Sequence, residues 1–153
     1  MTISLYETDF NLWCEETLTK LKERDFEGLD IGNLIEEIAS LASRDRRELQ
    51  SRLGVLIEHL LKRKYVDSQY DFRGWELTMR EQLYQLKILL KQSPSLKGYL
   101  IEVLPESYQF AISQVQTSYP HVNFPKEFNL AIDADAFLKC VERDLVAFQF
   151  NGT

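Results

Sequence analysis

Apolar residues recur along this chain at intervals of three and four positions, the spacing of a helix face. Tyr6, Phe10, Trp13, Cys14, Thr17, Leu18 and Leu21 form one such stripe and predict a helix over roughly 6–24. Glu15, Glu16, Lys20, Lys22 and Glu23 take the opposite, solvated face. The stretch Phe26-Glu27-Gly28-Leu29-Asp30 interrupts the period. Gly28 suits a reversal with positive φ, and Asp30 suits an N-cap for a run that begins at Ile31. That run is the longest: Ile31, Leu34, Ile35, Ile38, Leu41, Ala42, Leu49, Leu53, Leu56, Leu60 and Leu61. It predicts one long helix to about residue 64, or two helices bent at Ser43–Arg47, which lacks an apolar anchor.

Residues 65–74 are expected to form a connecting loop. Trp75, Met79, Leu83, Leu86 and Leu90 make a third stripe. Ser93 is expected as an N-cap with Pro94 at the first helical position, ahead of Leu96, Leu100, Val103 and Leu104. Pro105 is expected to break or kink that helix. Tyr108, Ala111, Ile112, Val115 and Tyr119 continue the period. Pro120–Pro125 reads as extended. A last helix is expected from about Asp133, with Ala136, Phe137, Cys140, Val141, Leu145 and Phe148 on its apolar face. No stretch alternates long enough to predict a strand. The expected architecture is all-α: one domain over 1–153, an antiparallel bundle of four to six helices, with an extended Pro-containing segment before the C-terminal helix.

Composition narrows the function classes. A chain of 153 residues has room for one domain and little more. Two Cys, Cys14 and Cys140, cannot build a disulfide scaffold, and the N-terminus has no signal-peptide pattern. No apolar run is long enough to span a membrane. A cytoplasmic setting and no membrane partner are therefore expected. The net charge of −6 argues against a dedicated nucleic-acid binder. The charge is segregated, however: −7 over residues 1–40, +5 over 41–100 and −4 over 101–153. Acidic ends and a basic middle could pair within one chain or between subunits.

Motifs that carry chemistry are scarce. The phosphate-binding glycine loops, the nucleophile elbow and HExxH are all missing. No catalytic residue, cofactor or metal is expected. The polar candidates are Glu36, Glu37 and His59 on the long helical run, with Trp75 and Arg80 further on. A metal would need carboxylate and imidazole on one face. Glu58 and His59 are adjacent and point about 100° apart, and Glu37 lies 22 positions from His59, about 33 Å on an unbroken helix. Arg44, Arg46 and Arg47, with Lys62, Arg63 and Lys64, make a candidate docking patch for an acidic partner or for phosphates. Mixed charges around them, and cations at a helix C-terminus, equally fit solvated salt-bridged faces.

Several segments taken together resemble a known family. They are Tyr6-Glu7-Thr8-Asp9-Phe10 with Trp13, Leu29-Asp30-Ile31-Gly32-Asn33-Leu34-Ile35-Glu36-Glu37-Ile38, Arg46-Arg47-Glu48-Leu49 with Arg52-Leu53, and His59-Leu60-Leu61-Lys62. Trp75, Arg80-Glu81-Gln82, Pro94-Ser95-Leu96, Tyr108 with Ala111, and Phe124-Pro125 complete the set. Their order and spacing resemble the domain of unknown function 29 family, an all-helical group frequent in cyanobacteria, over about residues 5–125. The resemblance implies a helical fold and a bacterial origin, and supplies no established enzyme activity, cofactor or catalytic residue to carry over. The chain departs from the pattern at Gly74, where the family favours Ser ahead of the Trp. It departs again after Pro125, where Lys126-Glu127-Phe128-Asn129 replaces Cys-Pro. Residues 126–153 stand as an extension.

Three function classes follow. The first is a small interaction or regulatory protein acting through a homo-oligomer or a protein partner. The second is a metal-binding or hydrolytic bundle using Glu36, Glu37 and His59. The third is a nucleic-acid-associated regulator using the basic central helices, which the net charge disfavours.

Overall fold

The computed structural model describes residues 3–127 and 133–151. Among these residues it contains six α-helices and no strand. They are α1 (Leu5–Thr8), α2 (Phe10–Lys22), α3 (Ile31–Tyr65), α4 (Gln69–Gln92), α5 (Leu96–Ser118) and α6 (Ala134–Asn151). The all-α class holds, and within Asp45–Thr153 the helices pack on one another around a shared core. The chain divides into two compact units, Met1–Arg44 and Asp45–Thr153, and α3 contributes to both.

In the N-terminal unit the expected single helix over 6–24 forms as two. Asp9 separates them because its carboxylate accepts from the Leu12 N–H at 3.0 Å, capping α2. The reversal after α2 also differs from expectation. Arg24, not Gly28, carries the positive φ, at 59°. Arg24 N–H donates to Leu21 O at 3.1 Å and Asp25 N–H to Lys20 O at 2.9 Å, the paired bonds of a Schellman C-cap. Gly28 serves another purpose. Its N–H donates to Asp25 Oδ1 at 3.1 Å, and a Cβ there would meet Asp25 Oδ2 at 2.7 Å. A side chain would therefore push away the carboxylate that ties the turn.

Asp30 caps α3 as expected, accepting from Asn33 N–H. The helix is continuous from Ile31 to Tyr65, so the alternative of two helices meeting at Ser43–Arg47 does not form. Arg and Glu are good helix formers, and Arg52 closes an i,i+4 bond on Glu48 at 2.9 Å.

The C-terminal unit holds the core. Leu49, Leu53, Leu56 and Leu60 of α3 are buried with Trp75, Met79, Leu83, Leu86 and Leu90 of α4. Leu100, Leu104, Tyr108, Ala111 and Val115 of α5 join them, as do Phe137, Val141 and Leu145 of α6. Two expectations change here. The anticipated loop over 65–74 shrinks to 66–68, and α4 begins at Gln69 with Gly74 inside it. Ser68 donates to the Asp71 carboxylate at 2.6 Å, and buried Val66 anchors the short link. Pro105 does not break α5, which runs through it to Ser118. The lost hydrogen bond and the clash of the ring with the preceding turn are offset by Leu100, Val103, Leu104 and Tyr108, which pack the helix into the core on both sides of it. Helix α5 starts two residues later than expected, after a turn at Pro94-Ser95. Asp133 caps α6, its carboxylate accepting from Ala136 N–H at 2.7 Å.

Candidate functional site

The N-terminal unit is built around one indole. Among the described residues Trp13 is its buried large apolar side chain; Thr17 lies buried beside it on the same face of α2. Tyr6 stands edge-on to Trp13 with ring centroids 4.9 Å apart, and Phe10 stacks on Trp13 at 5.8 Å. The Trp13 Nε1–H donates to Asp30 at 3.3 Å, and the Asn33 side-chain amide donates to the same carboxylate at 2.7 Å. The Asn33 amide bond is the main reason Asp30 titrates below its ordinary range. The Tyr6 hydroxyl donates to Glu37. This bond to a carboxylate, with other acids nearby, pushes the phenol up to about 12. Glu37 is thus a latch for α1, and Glu36 is exposed on α3.

The apolar stripe of α3 has two fates. Leu49 onward is buried. Ile31, Ile35, Ile38 and Leu41 stand 50–61% exposed. On α2, Phe10, Leu18 and Leu21 are exposed as well. Among the described residues, ten of the exposed large apolar side chains lie between Ile3 and Leu41, and eight in the larger C-terminal unit.

The other candidates lie in the C-terminal unit. His59 is half-buried, and its Nδ1 faces Val55 O at 2.8 Å. Burial holds its pKa below the ordinary value, and because a carbonyl oxygen only accepts, the contact is an Nδ1–H donating to Val55 O. No group of three or more His, Cys, Asp or Glu among the described residues is arranged to hold a metal. Trp75 is buried in the core, with Lys62 Nζ over its face 5.7 Å from the ring centre and Tyr119 edge-on to it. Arg80 is exposed, five positions on and about 140° around α4, so the two share no pocket.

The basic candidates separate into two groups. Arg44, Arg46 and Arg47 are exposed, with Arg46 5.9 Å from the Tyr99 ring centre. Lys62, Arg63 and Lys64 are engaged inside the unit. Lys62 meets Glu58 at 3.6 Å, Arg63 meets Glu76 at 3.1 Å and Lys64 meets Asp144 at 3.0 Å. Lys87 meets Glu142, and Lys97 meets Asp135 at 3.3 Å. The acidic C-terminal segment therefore neutralises part of the basic middle through α6. Over Asp45–Thr153 the formal charges cancel, at 14 acids and 14 bases. The whole net charge of −6 rests on Met1–Arg44, with 10 acids and 4 bases.

Sequence reasoning missed the outer face of α4. Tyr70 is 95% exposed, and Leu77, Tyr84 and Ile88 are 55%, 60% and 43% exposed. Their spacing puts them on one side, opposite Trp75, Met79, Leu83 and Leu86. Arg73, Arg80, Lys87 and Lys91 each sit three positions beyond one of them, making a basic flank. The signal was present as a second helical period, masked by the stronger core stripe.

An all-helical chain with these capped turns and this order of motifs defines a family by pattern, not by chemistry. The family model described as "Domain of unknown function DUF29" matches residues 5–138, and the chain belongs to that family. The match runs past Phe124-Pro125 into the start of α6, so the family region is longer than the 5–125 of the motif resemblance. No curated protein and no solved structure matches the chain. Among the described residues no helix is long and apolar enough to cross a membrane.

Proposed function

We propose that this protein is a small interaction module whose N-terminal unit is the docking part. The carrying observation is the mismatch in that unit: among its described residues it buries one large apolar side chain, Trp13, and exposes ten. Apolar area of this kind marks surfaces that other molecules cover. Eight of these side chains lie on α2 and α3; Leu12 stands about 180–200° around α2 from Phe10 and Leu21, and without it seven remain. At roughly 100 Å² each they offer on the order of 700 Å², close to the ~800 Å² per partner of a standard interface. The half-buried free thiols of Cys14 and Cys140 suit a reducing, cytoplasmic setting.

The test is photo-crosslinking in cells with a benzophenone amino acid in place of Ile38. A covalent adduct to a protein chain is expected, and it should vanish when Ile35→Asp is added. A probe at position 38 that yields no protein adduct overturns the reading.

A further inference from the structure

We propose that the partner of the acidic N-terminal unit is a second copy of this chain, docked through the outer face of α4. This inference rests on the interaction reading above and names the occupant of that surface.

Two faces of the molecule carry complementary halves of one contact. The first is the α2–α3 unit, with Ile31, Ile35 and Ile38 exposed along α3. It carries the entire net charge of the chain, and among the described residues every ion pair within 4.0 Å lies in the other unit. Its described acids are therefore held in no direct ion pair. The second face is the exposed stripe Tyr70, Leu77, Tyr84 and Ile88, spanning about 27 Å at ~1.5 Å per residue. Arg73, Arg80 and Lys91 beside it have no ion-pair partner among the described residues. Lys87 is shared with Glu142, and Glu81 falls within the stripe.

Charge decides between the two ways copies could pair. Like faces would bring two units of −6 together, which opposes association and would weaken most at low salt. Unlike faces set an acidic apolar surface on a basic apolar one, so both the apolar burial and the electrostatics favour contact. The exposed aromatics Tyr70 and Tyr84 are the side-chain type enriched at such contacts.

Light scattering of the full chain at high micromolar concentration tests this. Wild type should show a mass of two chains or more at low salt, and dissociate as salt rises. Ile35→Glu and Leu77→Glu should each weaken association by at least about tenfold while leaving the melting curve of the dilute monomer in place, since both positions are exposed. Mixing the two variants should restore association, because each supplies the face the other has lost. A dimer of like N-terminal units would ignore Leu77→Glu and would not be rescued by mixing, and that result overturns the proposal. A monomer at low salt overturns it too, while leaving the interaction reading to its own crosslinking test. Chemical crosslinking of mixed light and heavy-isotope protein separates copies: crosslinks found only within one chain also count against it.

Discussion

Arg63 and Glu76 form a nearly enclosed ion pair, Nε to Oε1 at 3.1 Å, with the guanidinium held between two rings. Phe72 lies 3.8 Å and Phe148 4.3 Å from its carbon, so one cation links α3, α4 and α6. The side chain is 9% exposed. A basic tripeptide that reads as a surface patch is, at its centre, part of the core.

Removing one member of such a pair strands the other. Arg63→Ala should lower stability by about 3 kcal/mol, and Arg63→Lys should recover little because the planar stack is lost. Arg63→Met combined with Glu76→Leu should be more stable than Arg63→Met alone. Denaturant titration of the four variants measures the order.

The Tyr6–Glu37 latch should respond to alkali. The folded phenol is raised from 10.0 to about 12, so its contribution is complete below pH 10. It should fade as pH rises through about 12. Trp13 fluorescence should report loosening of α1 across that window, and Tyr6→Phe should remove the transition, measured in a Trp75→Phe background.

The two ends of the α3 stripe should respond oppositely to mutation. Leu53→Ala, at 0% exposed, should cost about 2–5 kcal/mol through the cavity it leaves. Ile35→Ala, at 61% exposed, should change the stability of the monomer by no more than about 0.5 kcal/mol. Thermal melts at low protein concentration compare them directly. Equal losses would show that Ile35 is covered in the isolated chain.

The turn between α2 and α3 should be improvable at one residue and fragile at another. Arg24 holds a left-handed conformation that costs a side-chain-bearing residue about 1 kcal/mol or more. Arg24→Gly should therefore stabilise the N-terminal unit by roughly that amount, less the added freedom of the unfolded chain. Gly28→Ala should destabilise it by about 1 kcal/mol, because the new Cβ displaces the Asp25 carboxylate from its bond to the backbone. Amide exchange at residues 24–28 reads both effects.

Much of the architecture was legible in the periodicity. The stripes of α3 from Leu49 and of α4 name core residues, and Asp30 was legible as a cap. On α6 the stripe names Phe137, Val141 and Leu145, while Ala136, Cys140 and Phe148 are only partly buried and Ala134 and Leu138 take core places it missed. Element ends were less so. Gly74 and Pro105 look like breaks locally, yet both lie inside helices because the apolar residues on either side of them are packed into the core. Of the site candidates, Glu37 gained a partner that spacing alone could not supply. Tyr6 is 31 positions away, and only folding of α1 onto α3 brings the hydroxyl to the carboxylate.

The sequence by itself determined the helical class, the register of each apolar face and the uneven charge, since these depend on local period and residue type. Tertiary structure decided which faces are covered. Ile35 and Leu53 belong to one periodic stripe on one helix, yet Leu53 is fully buried and Ile35 stands 61% exposed. Periodicity states that a face is apolar; only the packing of distant segments determines whether anything lies against it.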